Sequence, residues 1–524
     1  MTYKFDDPLT QKSAVELLGL LARREISSEE LVRAHLDRII TLDGKIRAFV
    51  DLLRGTALAD ARRVDEARAR GDALGPLAGL PVSVKENLDF EGRAVTLGIV
   101  ARKNRISSRD ATIIRTLRRT GAVIVGRTNV PQLLLSHETR NPLFGATINP
   151  WSQGHAPGGS SGGEAASLVA GMSVLGIGTD IGGSIRVPAH FSGIAGFKPS
   201  LDRWSNRGSN GALIGQEGIR SQSGPMARSV EDLILFFEAM DPRWMAEDDP
   251  LVSPAAPRSV RDVDVRGLRV GVYVDDGLVH PSIAVGRAIF EAKAALERAG
   301  LQTTTFSPPA MRDAMALYFG LMSADGGETA FGQLEGSAIE PTLAPLKRIG
   351  SLPAPIKSAL ARGLRGAGEE RAAWFLGVIG GRSVASLWAL TKRARDYRLR
   401  FLEAMRAQGV DLLLCPAHAT PAVPHGESAQ FQLAGSPSML FNLMQFPAGV
   451  VPVTLVRDDE AMRPAGGDRF DRTARKVDEK SAGLPVGVQL AGAPFDDERV
   501  LGAMLALERA LGPNHPVTPR HPAF

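Results

Sequence analysis

Residues 155 to 197 read HAPGGSSGGEAASLVAGMSVLGIGTDIGGSIRVPAHFSGIAGF. In isolation GGSSGG is an ordinary flexible linker. Here the glycines run straight into small and apolar residues that must be buried, so the stretch belongs to the interior of a fold and is no tether.

The rest of the chain can supply that interior. It has 524 residues, 44% hydrophobic and 23% charged, which suits one large globular domain or two intimately joined ones. A net charge of +5, with no basic stripe interleaved with aromatics, excludes nucleic acid as an expected partner. The single cysteine, Cys415, lies in the apolar run VDLLLCP and reads as core, leaving no disulfide framework and no cysteine-built metal site. The start, MTYKFDDPLTQK, is polar and acidic where a signal peptide is basic and then apolar, and no run reaches ~18 apolar residues. These features predict a cytoplasmic protein.

Along the chain, SAVELLGLLARREI and SSEELVRAHLDRII carry capping boxes, Ser13 with Glu16 and Ser27 with Glu30, and with ALADARRVDEARAR they predict an N-terminal helical layer over about residues 1–70. PVSVKEN and AVIVGRTN read as strands, and LRVGVYV, SIAVGRAIFEAKAALERAG and LQTTTFS as strand, helix, strand. The order is mixed α and β. About residues 75–240 hold the motif-bearing core. Residues 457–481, dense in charge and glycine, read as a surface excursion. Between Pro345 and Trp388, short apolar runs alternate with Lys347, Arg348, Lys357, Arg362 and Arg365, predicting a helical flap, subunit interface or interfacial cap over about 345–390.

What chemistry do the glycines and serines serve? A phosphate cradle needs a Walker pattern or GxGxxG, and neither is present. Gly158-Gly-Ser160-Ser-Gly162 formally satisfies GxSxG, but NPWSQGHAP before it is a loop, and His418 and His425 lie in the Pro-rich CPAHATPAVPHG. A further reading starts at GTDIGGSIR. Small residues before Ser184 leave the amides of Ile181, Gly182, Gly183 and Ser184 free to converge on one point, an oxyanion hole beside a nucleophile. The cations of the chain are mostly arginine, so Lys85 among apolar neighbours stands out. Desolvation lowers the pKa of such an amine and lets it act as a base.

Together, PVSVKEN, GGSSGGE and GTDIGGSIRVPAHFSGIAGFKPS resemble the amidase signature family, and the match runs almost unbroken from Pro157 to Ser200. The resemblance implies a single α/β domain over 1–524, a large twisted mixed β-sheet covered by helices on both faces. It puts Lys85 at the family's catalytic lysine, Ser160 at the bridging serine and Ser184 at the nucleophile, with the Gly159–Ser160 peptide cis. It implies an acyl-enzyme formed through a Lys85–Ser160–Ser184 relay, with Ser161, Asp180 and Arg186 as structural support, His137, His155 and His190 as wall residues, and neither cofactor nor metal.

NVPQLLLS, NPLFGATINPW, SLWALTKRARDYR, FNLMQFPAGVVPVT and GLPVGVQLAGAPFDDERVL are similar to the fatty acid amide hydrolase branch. That implies an acyl channel with Leu134, Leu135 and Ile181 in its wall. The expected substrate is a small hydrophobic amide, an anilide, a carbamate (urethane) or an ester; the protein is expected to be a monomer or homodimer with weak peripheral membrane contact. The alternatives are the amidase subunit of a tRNA-dependent amidotransferase, or a non-catalytic binding protein on the same fold.

Overall fold

Eleven strands form one sheet in the computed structural model, which describes residues 8–256 and 258–512; residues 1–7, which the N-terminal reading includes, lie outside them. From one edge to the other the strands are Phe49–Leu52, Val123–Thr128, Pro81–Lys85, Leu175–Asp180, Gln222–Ala227, Ala195–Lys198, Ala448–Leu455, Pro485–Gly492, Leu412–Pro416, Arg269–Val272 and Gln302–Thr305. Pro81–Lys85 runs parallel to both its neighbours, and the central strands from Leu175–Asp180 to Leu412–Pro416 pair antiparallel. The sheet is therefore mixed, and the chain has an α/β fold.

Both N-terminal capping boxes are formed, with the hydroxyls of Ser13 and Ser27 accepting the amides of Glu16 and Glu30. The helical layer is interrupted, however. Phe49–Leu52 pairs antiparallel with Val123–Thr128 at the sheet edge, because long-range pairing decides the state of so short a segment. Residues 457–481 are also more than an excursion. Helix Arg469–Asp478 buries Phe470, Ala474 and Val477 at i, i+4 and i+7, together with Asp478, which pairs with Arg463. Pro452 sits in Ala448–Leu455 where the register shifts between Pro452 and Thr454, a bulge that needs no donor there.

The most enclosed strands, Pro81–Lys85, Leu175–Asp180, Ala195–Lys198 and Pro485–Gly492, are buried at every residue. Such strands read as continuous apolar runs rather than as alternation. Helices Gly162–Val169 and Arg186–Ser192 pack on the middle of the sheet, and helices Val230–Ala239, Ile283–Arg298 and Asp497–Leu511 cover further strands. The segment read as a flap consists of helices Ala344–Gly350, Ala354–Gly366 and Glu370–Val378, leading into the long helix Val384–Ala407. Ile356 and Leu360, one turn apart, each stand 47% exposed on it. Lys357, on the same helix, turns inward and donates to the carbonyls of Gly350 (3.1 Å) and Ile379 (3.3 Å). Among the described residues no helix is long and apolar enough to cross a membrane.

Candidate active site

Lys85 is the last residue of its strand and is wholly buried. Its Nζ lies 2.7 Å from Ser160 Oγ, 2.9 Å from Thr179 Oγ1 and 3.2 Å from the Thr179 carbonyl. Burial lowers its pKa to about 7, against the opposing pull of Asp180, Glu164 and Glu86. A neutral amine has two N–H donors and one lone pair. The two Thr179 oxygens accept the donors, which leaves the lone pair facing the Ser160 hydroxyl.

Ser160 is presented by the glycine turn. The Gly159–Ser160 peptide is cis, and Gly158 has φ +89°, a region open to glycine. A Cβ on Gly158 would collide with Pro188, so the turn lies directly on helix Arg186–Ser192. Ser161 precedes helix Gly162–Val169, and its amide donates to the Ser184 carbonyl at 3.1 Å. Its Oγ makes longer contacts with the Thr179 amide and carbonyl, both 3.4 Å. The two serine motifs are thereby joined backbone to backbone.

The Ser184 turn begins where strand Leu175–Asp180 ends. Asp180 and Arg186 are fully buried, not a surface pair. The Arg186 guanidinium uses all five of its donors: Nε and Nη2 reach Asp180, Nη2 also reaches Asn442 Oδ1 (2.6 Å), and Nη1 reaches the Ser438 carbonyl (2.8 Å) and Gln489 Oε1 (2.6 Å). Burial works to raise the Asp180 carboxyl. Arg186 and the bonded amides override it and hold the group well below the usual carboxylate range. Asp180 also accepts the amides of Gly183 (2.8 Å) and Ile185 (3.0 Å). Of the four amides expected to converge, that of Gly183 is therefore already bonded. Those of Ile181, Gly182 and Ser184 have no hydrogen-bond partner among the described residues.

Two cavities meet here. One begins at Ser184 and runs beneath the flap to Leu346, Phe375 and Ile379, with a mostly apolar wall. The other reaches Ser160 and Thr179 and is lined on its far side by Asn206, Arg207, Asn210 and Gln216. Leu134, Leu135 and Ile181 belong to both walls.

His155 lies away from these cavities against Ser152, its pKa lowered to about 4 by burial and by His425. His190 is bonded to the backbone of Gly487 and Thr420. His137 lines the apolar cavity, and its Nε2 lies 2.9 Å from the Gly182 carbonyl. The histidines required by the GxSxG reading are occupied elsewhere, His418 with Thr420 and His425 with Glu138. Sequence reasoning did not find Thr179, Tyr318, Asn442 or Gln489. Thr179 stands in the quoted GTDIGG, Asn442 in FNLMQFPAGVVPVT and Gln489 in GLPVGVQLAGAPFDDERVL, but no local pattern points any of them or Tyr318 at the site, which they reach through tertiary packing. Among the described residues no cluster of three or more His, Cys, Asp or Glu is placed to hold a metal ion.

The mixed sheet thus carries a buried lysine and two serines on glycine turns beside an apolar cavity. The Amidase family model matches residues 30–501, and the chain belongs to that amidase signature family of amide-hydrolysing enzymes. It is 39% identical to fatty-acid amide hydrolase 1 of Sus scrofa, over 96% of this chain and 91% of that protein. It is also 34% identical to a glutamyl-tRNA(Gln) amidotransferase subunit of Moorella thermoacetica, over 95% of this chain and 96% of that one. A solved fatty acid amide hydrolase superposes with a TM-score of 0.83 at 28% identity, covering 96% of this chain and 86% of that one.

Proposed function

We propose that the protein hydrolyses small amides with a hydrophobic acyl group through a covalent acyl-enzyme on Ser184. Neutral Lys85 accepts the Ser160 proton as Ser160 Oγ takes that of Ser184, and Ser184 Oγ adds to the carbonyl carbon. The oxyanion is met by unpaired amides of residues 181–184. Return of the proton along the same relay lets the amine leave. Water activated by the same route then releases the acid. Asp180 and Arg186 brace the turn, and Ser161 couples it to Ser160.

The observation that carries this reading is the Lys85 Nζ to Ser160 Oγ contact of 2.7 Å in a fully buried site. The apolar lining of the cavity at Ser184, with Leu134, Leu135, Ile181, Phe319 and Phe375, supports a hydrophobic acyl group, since ligand sites of this kind are lined mainly by hydrophobic and aromatic side chains. The same addition and elimination at a carbonyl extends to aryl amides, carbamates and esters. In this reading the enzyme works in the cytoplasm as a monomer or homodimer, and the outer flap face with Ile356 and Leu360 makes weak peripheral contact with membranes.

Intact-protein mass spectrometry after rapid quenching tests the scheme, using acyl anilides, long-chain amides and aryl carbamates with and without lipid vesicles. An added acyl mass is expected on the parent and none on Ser184→Ala. Undiminished turnover by Ser184→Ala, or ammonia released from glutamine in preference to amine from hydrophobic amides, would overturn it.

A further inference from the structure

Side chains outside the relay hold the backbone of the Ser184 turn in a specific orientation. In a trans peptide the carbonyl and the following N–H point in opposite directions, so whatever grips a carbonyl also aims the next amide. Each carbonyl from Asp180 to Gly183 is gripped. That of Asp180 accepts Asn442 Nδ2 (3.1 Å), that of Ile181 accepts the Tyr318 hydroxyl (3.1 Å), that of Gly182 faces His137 Nε2 (2.9 Å), and that of Gly183 accepts the Val187 amide (2.7 Å).

Two of these grips come from side chains that also line the apolar cavity. We infer that Tyr318 and His137 are positioning residues of this active site: Tyr318 aims the Gly182 amide at the developing oxyanion, and His137 fixes the Gly182–Gly183 peptide so that the Gly183 amide stays on Asp180. The inference rests on Ser184 being the nucleophile.

The local packing is built around both contacts. A Cβ on Gly182 would strike the Tyr318 hydroxyl, and a Cβ on Gly435 would strike the His137 ring. Glycine at two positions far apart in sequence thus admits two side chains to one turn. A carbonyl can only accept, so His137 carries its proton on Nε2. Burial lowers its pKa and keeps the ring neutral, against the opposing influence of the Gly182 carbonyl and Asp180; Arg186 favours the neutral ring. Burial likewise raises the Tyr318 pKa and keeps its hydroxyl protonated as a donor.

Tyr318→Phe keeps the ring in the cavity wall and removes only the hydroxyl. One neutral hydrogen bond acting through the oxyanion predicts a loss of about tenfold in kcat. KM should be unchanged, and binding of an alkylboronic acid, which forms a tetrahedral serine adduct, should weaken by a similar factor. For His137, the Phe variant should lose kcat, and the Gln variant, which restores an N–H donor, should recover much of it. Parent-like kcat and boronate affinity in Tyr318→Phe, a rise in KM alone, or His137→Gln no better than His137→Phe would each overturn the assignment. If Ser184→Ala is inert while Tyr318→Phe behaves like the parent, this inference alone fails; an active Ser184→Ala refutes the reading beneath it.

Discussion

If neutral Lys85 is the base, the rate must follow the fraction of the protein in which its amine has lost the proton. With a pKa lowered to about 7, that fraction is about one-tenth at pH 6, half at pH 7 and nine-tenths at pH 8. An exposed lysine of ordinary pKa would be neutral in well under 1% of molecules at pH 8, and the rate would keep climbing about tenfold per pH unit toward pH 10. The two cases separate in one experiment. The value of kcat/KM for a non-ionising acyl anilide, measured from pH 5 to 9.5, should rise about tenfold between pH 6 and 8 and then level. The sign follows from desolvation, which disfavours the charged amine and moves the midpoint down from its ordinary value. Lys85→Ala should lose a factor on the order of 10² to 10⁴ at pH 8 and show no such rise. A flat profile, a rise continuing unchecked past pH 9, or an unimpaired Lys85→Ala would refute the assignment of the base.

Asp180→Asn leaves the Arg186 charge buried without its counter-ion, and urea denaturation at neutral pH should show a loss of about 3–5 kcal/mol. A loss below about 1 kcal/mol would mean that the other carbonyl and amide partners of Arg186 suffice. Leu346→Trp, at the flap end of the apolar cavity, should move the preferred acyl chain to shorter lengths. Each excluded methylene forfeits about 0.8 kcal/mol, roughly fourfold in kcat/KM on the longer substrates, and an unmoved chain-length profile in a substrate series would show that the acyl group does not occupy this cavity.

The parts of the site that sequence reasoning could name share one property: each lies in a short local motif. Lys85 stands alone among apolar residues in PVSVKEN, and Ser160 and Ser184 each follow glycines. Local composition suggests a base at Lys85 and an oxyanion hole beside Ser184, and the family resemblance adds the role expected of Ser160. Of the turn's bracing, Asp180 and Arg186 are readable through the family resemblance, but Asn442, Gln489 and Tyr318 are not, because their contacts exist only after the sheet has formed. His137 shows an intermediate case. Its nearness to the motifs is plain in the sequence, but its bond to the Gly182 carbonyl is not. The strand Phe49–Leu52 escaped for a related reason, since four half-buried residues between two long helices carry too little pattern to outweigh their neighbours.

The reach of Arg186 also has a bearing on how the enzyme comes into being. Its partners Ser438 and Gln489 lie 252 and 303 residues further along the chain. During synthesis Ser184 and Arg186 therefore emerge long before Ser438 and Gln489. Until both have been made, Arg186 lacks two of its acceptors and the turn is incompletely braced.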